Sequence, residues 1–348
     1  GLSSPVIWGD RVFVTTCLQE GDKDTPKPRV LLCLDRNTGK ILWEKTVCTS
    51  KDEPVHKLNS FASSTPATDG KHVYVTFFEI PNVVVAAYDF SGKEVWKKSP
   101  GEFQSVHGFC SPPILYKDLV IVNCDQDAFG KKKPAYIVAF NGKDGTEKWR
   151  IDRPNRIRSY CPPFITEAAG KPQMVLTGCK TVASYNPENG EQYWIIDGPT
   201  EQFVASMIFH KGLFFLSAGF PTYHVMGIKP DGNGNVTKTH VVWHEEKGAG
   251  YVPSPVGYGD NIFLVHDDGR ASCRDALTGK LHWLERLGKH HSGSPVEAEG
   301  KLYFPDDDGN TFVLKGSDKF EVLEKNVRGR GRRGEIVWYR GVINQEGK

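Results

Sequence analysis

The sequence predicts an all-β chain, a β-propeller of four-stranded antiparallel blades, and three observations predict it. Five segments share one formula: LDRNTGKILWEK (34–45), YDFSGKEVWKK (88–98), FNGKDGTEKWRI (140–151), YNPENGEQYWII (185–196) and RDALTGKLHWLE (274–285). In each, a glycine stands four residues before a tryptophan: Gly39/Trp43, Gly92/Trp96, Gly145/Trp149, Gly190/Trp194 and Gly279/Trp283. A sixth segment keeps Trp243 but lengthens its turn. The second observation is the spacing of these tryptophans, which are 53, 53, 45, 49 and 40 residues apart. Recurrence at that period marks stacked or radial units that bury their faces against one another. The third is a set of short Val/Ile/Phe/Tyr-rich runs with turn residues between them, four to a unit, which reads as a propeller blade.

Each unit opens on a small-Pro or Pro-Pro element: Ser4-Pro5, Thr65-Pro66, Pro112-Pro113, Pro162-Pro163, Ser254-Pro255 and Ser294-Pro295, with Ser206-Met207 in the equivalent place of the fifth unit. A strand follows behind a tight turn, as in GDRVFVTT (9–16), GKHVYVTFF (70–78), KDLVIVNC (117–124), KGLFFLSA (211–218), GDNIFLVH (259–266) and GKLYFPDD (300–307). These runs are β-branched and aromatic and alternate in part. A third strand ends on a polar residue, the Asx/Gly turn reverses the chain as a short hairpin, and the tryptophan strand completes the unit. Trp43, Trp96, Trp149, Trp194, Trp243 and Trp283 are expected on the outermost strands, wedged between neighbouring blades, each burying about 150–250 Å².

Seven unit starts can be counted, and the last strand of the seventh is expected at KFEVLEK (319–325). Residues 1–326 form the expected propeller, one domain, and 327–348 a divergent, mobile basic tail containing VRGRGRRG. Because no outer strand precedes the first unit, the expectation is seven blades of an eight-bladed ring.

With 39% hydrophobic and 25% charged residues, the chain has the composition of a globular protein, and no apolar run approaches membrane-spanning length. A net charge of +2 gives no strong field toward nucleic acid or membrane. The eight cysteines include no adjacent pair and no CxxC, so metal-ligand spacing is missing. Cys17 and Cys33 are placed to face each other across neighbouring strands, but buried free thiols are the simpler expectation for all eight.

The repeated xxDxxTGKxxW formula resembles that of the quinoprotein-like propellers, over roughly residues 1–326. This superfamily includes the pyrroloquinoline-quinone-dependent alcohol dehydrogenases and the propeller lipoprotein of the bacterial outer-membrane β-barrel assembly machinery. Stretches such as GPTEQFVASM (198–207), YVPSPV (251–256) and KHHSGSPV (289–296) are also similar to exported bacterial proteins with PQQ-like repeats. The resemblance implies a periplasmic or otherwise exported propeller. The dehydrogenases also imply a catalytic Asp, a calcium ion and an adjacent Cys-Cys disulfide stacked on the quinone; this sequence has no Cys-Cys. No cofactor is therefore expected, with pyrroloquinoline quinone and calcium as the alternative.

Fold does not carry function. Chemistry is better sought where the repeats disagree, in the connections from each tryptophan strand to the next unit. These contribute His56, Asn59, His107, Arg158, Tyr160, Glu201, Gln202, Tyr251, His290 and His291, which would converge on one channel mouth. The acidic runs Asp267-Asp268-Gly269 and Asp306-Asp307-Asp308-Gly309 read as hairpin-turn chemistry, lacking the spaced ligands of a calcium loop. Asp125-Gln126-Asp127, before Lys131-Lys132-Lys133, reads as an exposed loop. No serine–histidine–aspartate order, phosphate loop or paired-carboxylate motif stands out. The expectation is a monomeric, non-catalytic scaffold that binds a protein or small ligand through its channel face and binds no nucleic acid. Two alternatives are a quinone-dependent oxidoreductase and a module of a larger cell-envelope protein.

Overall fold

Each predicted unit folds as a sheet of four antiparallel strands laid down in chain order. The computed structural model describes residues 2–18, 22–56, 59–126, 135–153 and 157–327. Blade 1 is Val6–Trp8, Arg11–Cys17, Lys27–Asp35 and Ile41–Ser50. Blades 2 to 7 follow at 67–102, 114–153, 164–197, 208–245, 256–286 and 296–327. Seven four-stranded antiparallel sheets and no helix among the described residues make this the β-propeller fold that the repeats predict. Apart from Val327, the basic tail lies outside the described residues. The last strand runs Val322–Val327, slightly later than expected.

The described residues divide into two compact units, one within 2–158 with 188–190, the other of 159–187 and 191–327. In the first unit one core layer joins blades 1 and 2 through Phe13 and Leu31 against Val73, Val75 and Phe77. A second joins blades 2 and 3 through Val83 and Val85 against Val120 and Val138. In the second unit Val175 and Ile196 meet Phe214 and Leu216, Phe215 and Val225 meet Ile262 and Leu264, and Phe263 and Val265 meet Leu302 and Phe304. The hydrophobic core is thus a series of layers between blades. In blade 2, Val73–Phe78 and Val83–Tyr88 are buried at every position. A middle strand with a neighbour on each face gains from apolar residues on both, so its alternation is weak.

The tryptophans sit on the fourth strands, as expected, and the structure explains the glycine as well. Trp43 donates its indole N–H to Phe90 O of blade 2 (3.0 Å) and Trp96 to Gly142 O of blade 3 (2.8 Å). Trp194, Trp243 and Trp283 do the same to Pro230 O (3.1 Å), Ala276 O (2.9 Å) and Ser317 O (3.3 Å). Each acceptor belongs to the third-to-fourth-strand turn of the following blade, and Trp43, Trp96, Trp194 and Trp243 lie on a glycine of that turn (Gly92, Gly145, Gly232 and Gly279). A Cβ on Gly145 would come within 2.7 Å of Trp96, and one on Gly279 within 2.5 Å of Trp243. Both glycines also have positive φ (69° and 72°), a region that disfavours any side chain. Trp149 lies against Gly190 in the same manner, although its N–H meets no acceptor among the described residues. The glycine and tryptophan of one repeat therefore serve two different joints.

The turn itself is longer than a two-residue hairpin. Asp35 N bonds Lys40 O (2.8 Å) and Gly39 N bonds Asp35 O (2.9 Å), while the Asp35 carboxylate accepts from Thr38 N (2.7 Å) and Thr38 Oγ1 (2.8 Å). Asp275 and Thr278 repeat the arrangement, and the Thr278 hydroxyl holds the Asp275 carboxyl below its ordinary range. A β-bulge precedes this turn in all seven blades, for example between Cys33 and Leu34 and between Cys273 and Arg274. The lengthened turn of blade 5 lays Gly234–Asn235 parallel to Trp194 and Ile195, adding a fifth strand to blade 4.

Cys17 and Cys33 do not face each other. Cys17 pairs with Arg29 and Cys33 with Phe13 across the ladder, and no disulfide joins them. The run Asp125-Gln126 is not an exposed loop either: both residues are buried, and Asp125 accepts from Arg153 Nε (3.0 Å) and Nη2 (3.2 Å). Asp127 and Lys131–Lys133 lie outside the described residues.

Candidate functional site at the connection edge

The connections between blades share one structural device. Those entering blades 3 to 7 are each fastened to the end of that blade's second strand or to the turn after it, and the fastening group differs from blade to blade. At blade 3, Gln104 N donates to Gln126 Oε1 (2.8 Å). At blade 4, Ser159 Oγ donates to Thr177 O (3.1 Å). At blade 5, Gln202 N donates to Phe220 O (3.0 Å). Blades 6 and 7 use carboxylates. Asp267 accepts from Tyr251 N (2.7 Å) and Val252 N (3.2 Å); Asp307 accepts from Ser292 N (2.9 Å) and Ser292 Oγ (3.1 Å). Asp268 and Asp306 do serve their own turns, through Arg270 N (3.2 Å) and Asn310 N (2.7 Å). The sequence reading of these acidic runs as turn chemistry was half of the answer, because Asp267 and Asp307 reach across to the neighbouring connection.

In the first unit His56, Asn59 and His107 come together. Asn59 Nδ2 donates to His107 O (2.8 Å), and the two imidazole rings stand perpendicular with centroids 5.4 Å apart. His56 is exposed and His107 half-buried. Arg158 is half-buried at the exit from blade 3. Deeper in the same unit lies a buried ion pair, with Arg29 Nη2 2.9 Å from Glu53 Oε2 and Nη1 2.8 Å from Cys17 Sγ. Burial pushes the Glu53 carboxyl up to about 7 although Arg29 opposes it. Sequence reasoning missed this pair; a charged residue inside an apolar strand, as in PRVLLCL, is the signal that could have exposed it.

In the second unit Tyr160 N donates to Phe203 O (3.1 Å), and Glu201 bonds Lys180 at 3.0 Å. Gln202 is buried, whereas Glu201 and Tyr251 are half-buried. Tyr251 packs on Gly219. His290 and His291 point apart. His290 is exposed and bonds the Asp307 carboxylate; His291 is fully buried and bonds Pro305 O through Nδ1 (2.7 Å). Since a carbonyl only accepts, Nδ1 carries the His291 proton, and burial depresses the pKa of that ring. Ser292, His290 and Asp307 are not a nucleophilic triad, because serine and histidine both bond the carboxylate. Phe220 and Tyr223, on the turn that holds Gln202, are exposed aromatics.

The sequence has no adjacent cysteines, and among the described residues no group of three or more His, Cys, Asp or Glu side chains is arranged to hold a metal ion.

Repeat, fold and connection edge define a propeller of PQQ-like blades. Residues 26–208 and 233–322 match the family model described as outer membrane protein assembly factor BamB, and the chain belongs to this family. No curated protein matches the sequence. Among solved structures, BamB from Moraxella catarrhalis is similar at TM-score 0.64 and 12% identity, over 94% of this chain and 88% of that one. A europium-containing methanol dehydrogenase is similar at TM-score 0.60 and 15% identity, over 90% and 72%. The quinohemoprotein alcohol dehydrogenase from Comamonas testosteroni gives 0.58 and 14%, over 99% and 68%. At these identities the structural likeness speaks to fold alone. No helix among the described residues is long and apolar enough to cross a membrane.

Proposed function

We propose that this chain is a non-catalytic, exported propeller that binds a protein partner through its connection edge. One observation carries the reading. The opposite edge repeats a single tryptophan joint, whereas the connection edge is fastened on entry to blades 3 to 7 yet presents different side chains at each. A rigid rim with non-repeating polar and aromatic groups suits recognition, since ordering such groups beforehand lowers the entropic cost of binding. Exposed Phe220 and Tyr223 beside Glu201 supply the aromatic and charged components of a protein-binding surface. The family's description as an assembly factor supports a protein over a small molecule as partner.

The test is affinity capture from a periplasmic extract by the wild-type chain, repeated with Phe220→Ala/Tyr223→Ala and with His107→Ala. A partner retained by wild type and lost with the aromatic pair supports the proposal. A partner captured equally by all variants removes the connection edge as its site. Saturable binding of pyrroloquinoline quinone with calcium, together with dye reduction by an alcohol, would replace this reading with the oxidoreductase alternative.

A further inference from the structure

Two histidines that play no part in the preceding account meet on blade 5. His224 opens the third strand (His224–Ile228) and His244 lies in the fourth (Val241–Glu245). The ladder pairs Met226 with His244, and His224 stands two residues from Met226, so both imidazoles share one face of the sheet. His224 Nδ1 and His244 Nε2 are 2.8 Å apart, with ring centroids at 5.0 Å and planes inclined by 37°. On its far side His224 Nε2 is 2.6 Å from Thr222 Oγ1. His224 is buried, at 5% exposure, beneath the exposed His244.

This geometry has a chemical consequence. When Nε2–H of His224 donates to the Thr222 hydroxyl, Nδ1 is left as a bare lone pair facing His244. A hydrogen bond to the distal nitrogen is the usual means of orienting a metal-binding imidazole. Two imidazole nitrogens about 2.0–2.1 Å from one metal lie about 3.4 Å apart at a tetrahedral angle and about 2.9 Å apart at a right angle. The observed 2.8 Å is the length of an N–H···N hydrogen bond with the two rings nearly in line, and a turn of the exposed His244 ring is what brings both nitrogens to the right-angle, cis arrangement of a square-planar centre, which copper(II) favours. Glu246, whose charge is felt at His224, adds the negative potential that favours a cation.

We propose that His224 and His244 form a two-imidazole chelate for copper(II) on blade 5, oriented by Thr222 and completed by water. Binding requires His244 to carry its proton on Nδ1 instead of Nε2, with no net proton released from the neutral pair. A two-residue chelate is consistent with the absence of larger His/Cys/Asp/Glu groups among the described residues.

The experiment is titration of the full chain with copper(II), followed by calorimetry and by electron paramagnetic resonance. The tightest site should take one ion per chain and show coupling to two nitrogens. His244→Ala, at an exposed position, should weaken that site at least about tenfold and leave one coupled nitrogen. Thr222→Val, which removes only the orienting bond, should cost about tenfold. His282→Ala, on blade 6, should change neither affinity nor spectrum. Equal affinity in wild type and His244→Ala, or an unchanged nitrogen count, overturns the proposal. If His224→Ala fails to fold, the His244 and Thr222 variants still decide it.

Discussion

The two edges of every blade solve different problems with different chemistry. At the turn edge, one indole of about the same size is set on a glycine, and its N–H enters a neighbouring carbonyl, at joint after joint. At the connection edge, the same task of fastening the chain is done by Gln126, Thr177 O, Phe220 O, Asp267 and Asp307 in turn. Identical blade contacts demand identical side chains. A fastening needs only some acceptor within reach, so its residue is free to vary, and with it the chemistry presented to a partner.

The largest expected effect is at the turn edge. Trp243→Ala should destabilise the chain by about 3–5 kcal/mol in chemical denaturation, because it empties a packed joint and strands the Ala276 carbonyl. A loss under about 1 kcal/mol would remove the distinction between the edges. Asp267→Ala, at the connection edge, should cost less, about 1–3 kcal/mol, for the two backbone N–H groups of Tyr251 and Val252 left without their acceptor. Hydrogen exchange should quicken at those two amides while the blade 6 ladder stays protected.

A third effect is seen as a slope against pH. Glu53 has a folded pKa near 7, above its ordinary 4.5, so the folded state holds the proton more tightly. Its contribution to stability is complete below the unfolded pKa and is lost as pH rises from about 4.5 through 7. Glu53→Gln should flatten stability against pH over that window; an unchanged slope would show that Arg29 keeps the carboxylate ionised throughout.

Much of the architecture was legible because repeated local patterns report repeated local environments. The strand runs, the six tryptophans and their outer-strand position follow from spacing and side-chain type. The partner of each glycine was not legible, since Gly92 and Trp96 adjoin in sequence while Gly92 actually accommodates Trp43. Cys17 and Cys33 fell out of register because the first hairpin pairs Arg11 with Asp35, which puts Arg29 opposite Cys17. Asp125 looked like a surface residue because its cation, Arg153, is 28 positions away on another strand.

The candidate site divides in the same manner. Connection residues could be listed from the repeat boundaries, but not which of them meet. Only the fold sets His107 beside His56 and Asn59, turns His290 outward to Asp307, and buries His291. His224 and His244 carry no sequence signal at all, being 20 residues apart on two strands joined by a long turn. The sequence alone determined that the chain is a repeat of propeller-type β-blades, because periodicity and apolar strand content are properties of the chain itself. Tertiary structure alone decided which indole covers which glycine, which charges are buried and which imidazoles touch. Those contacts depend on strand register and on the blade next door, and neither is written within a single repeat.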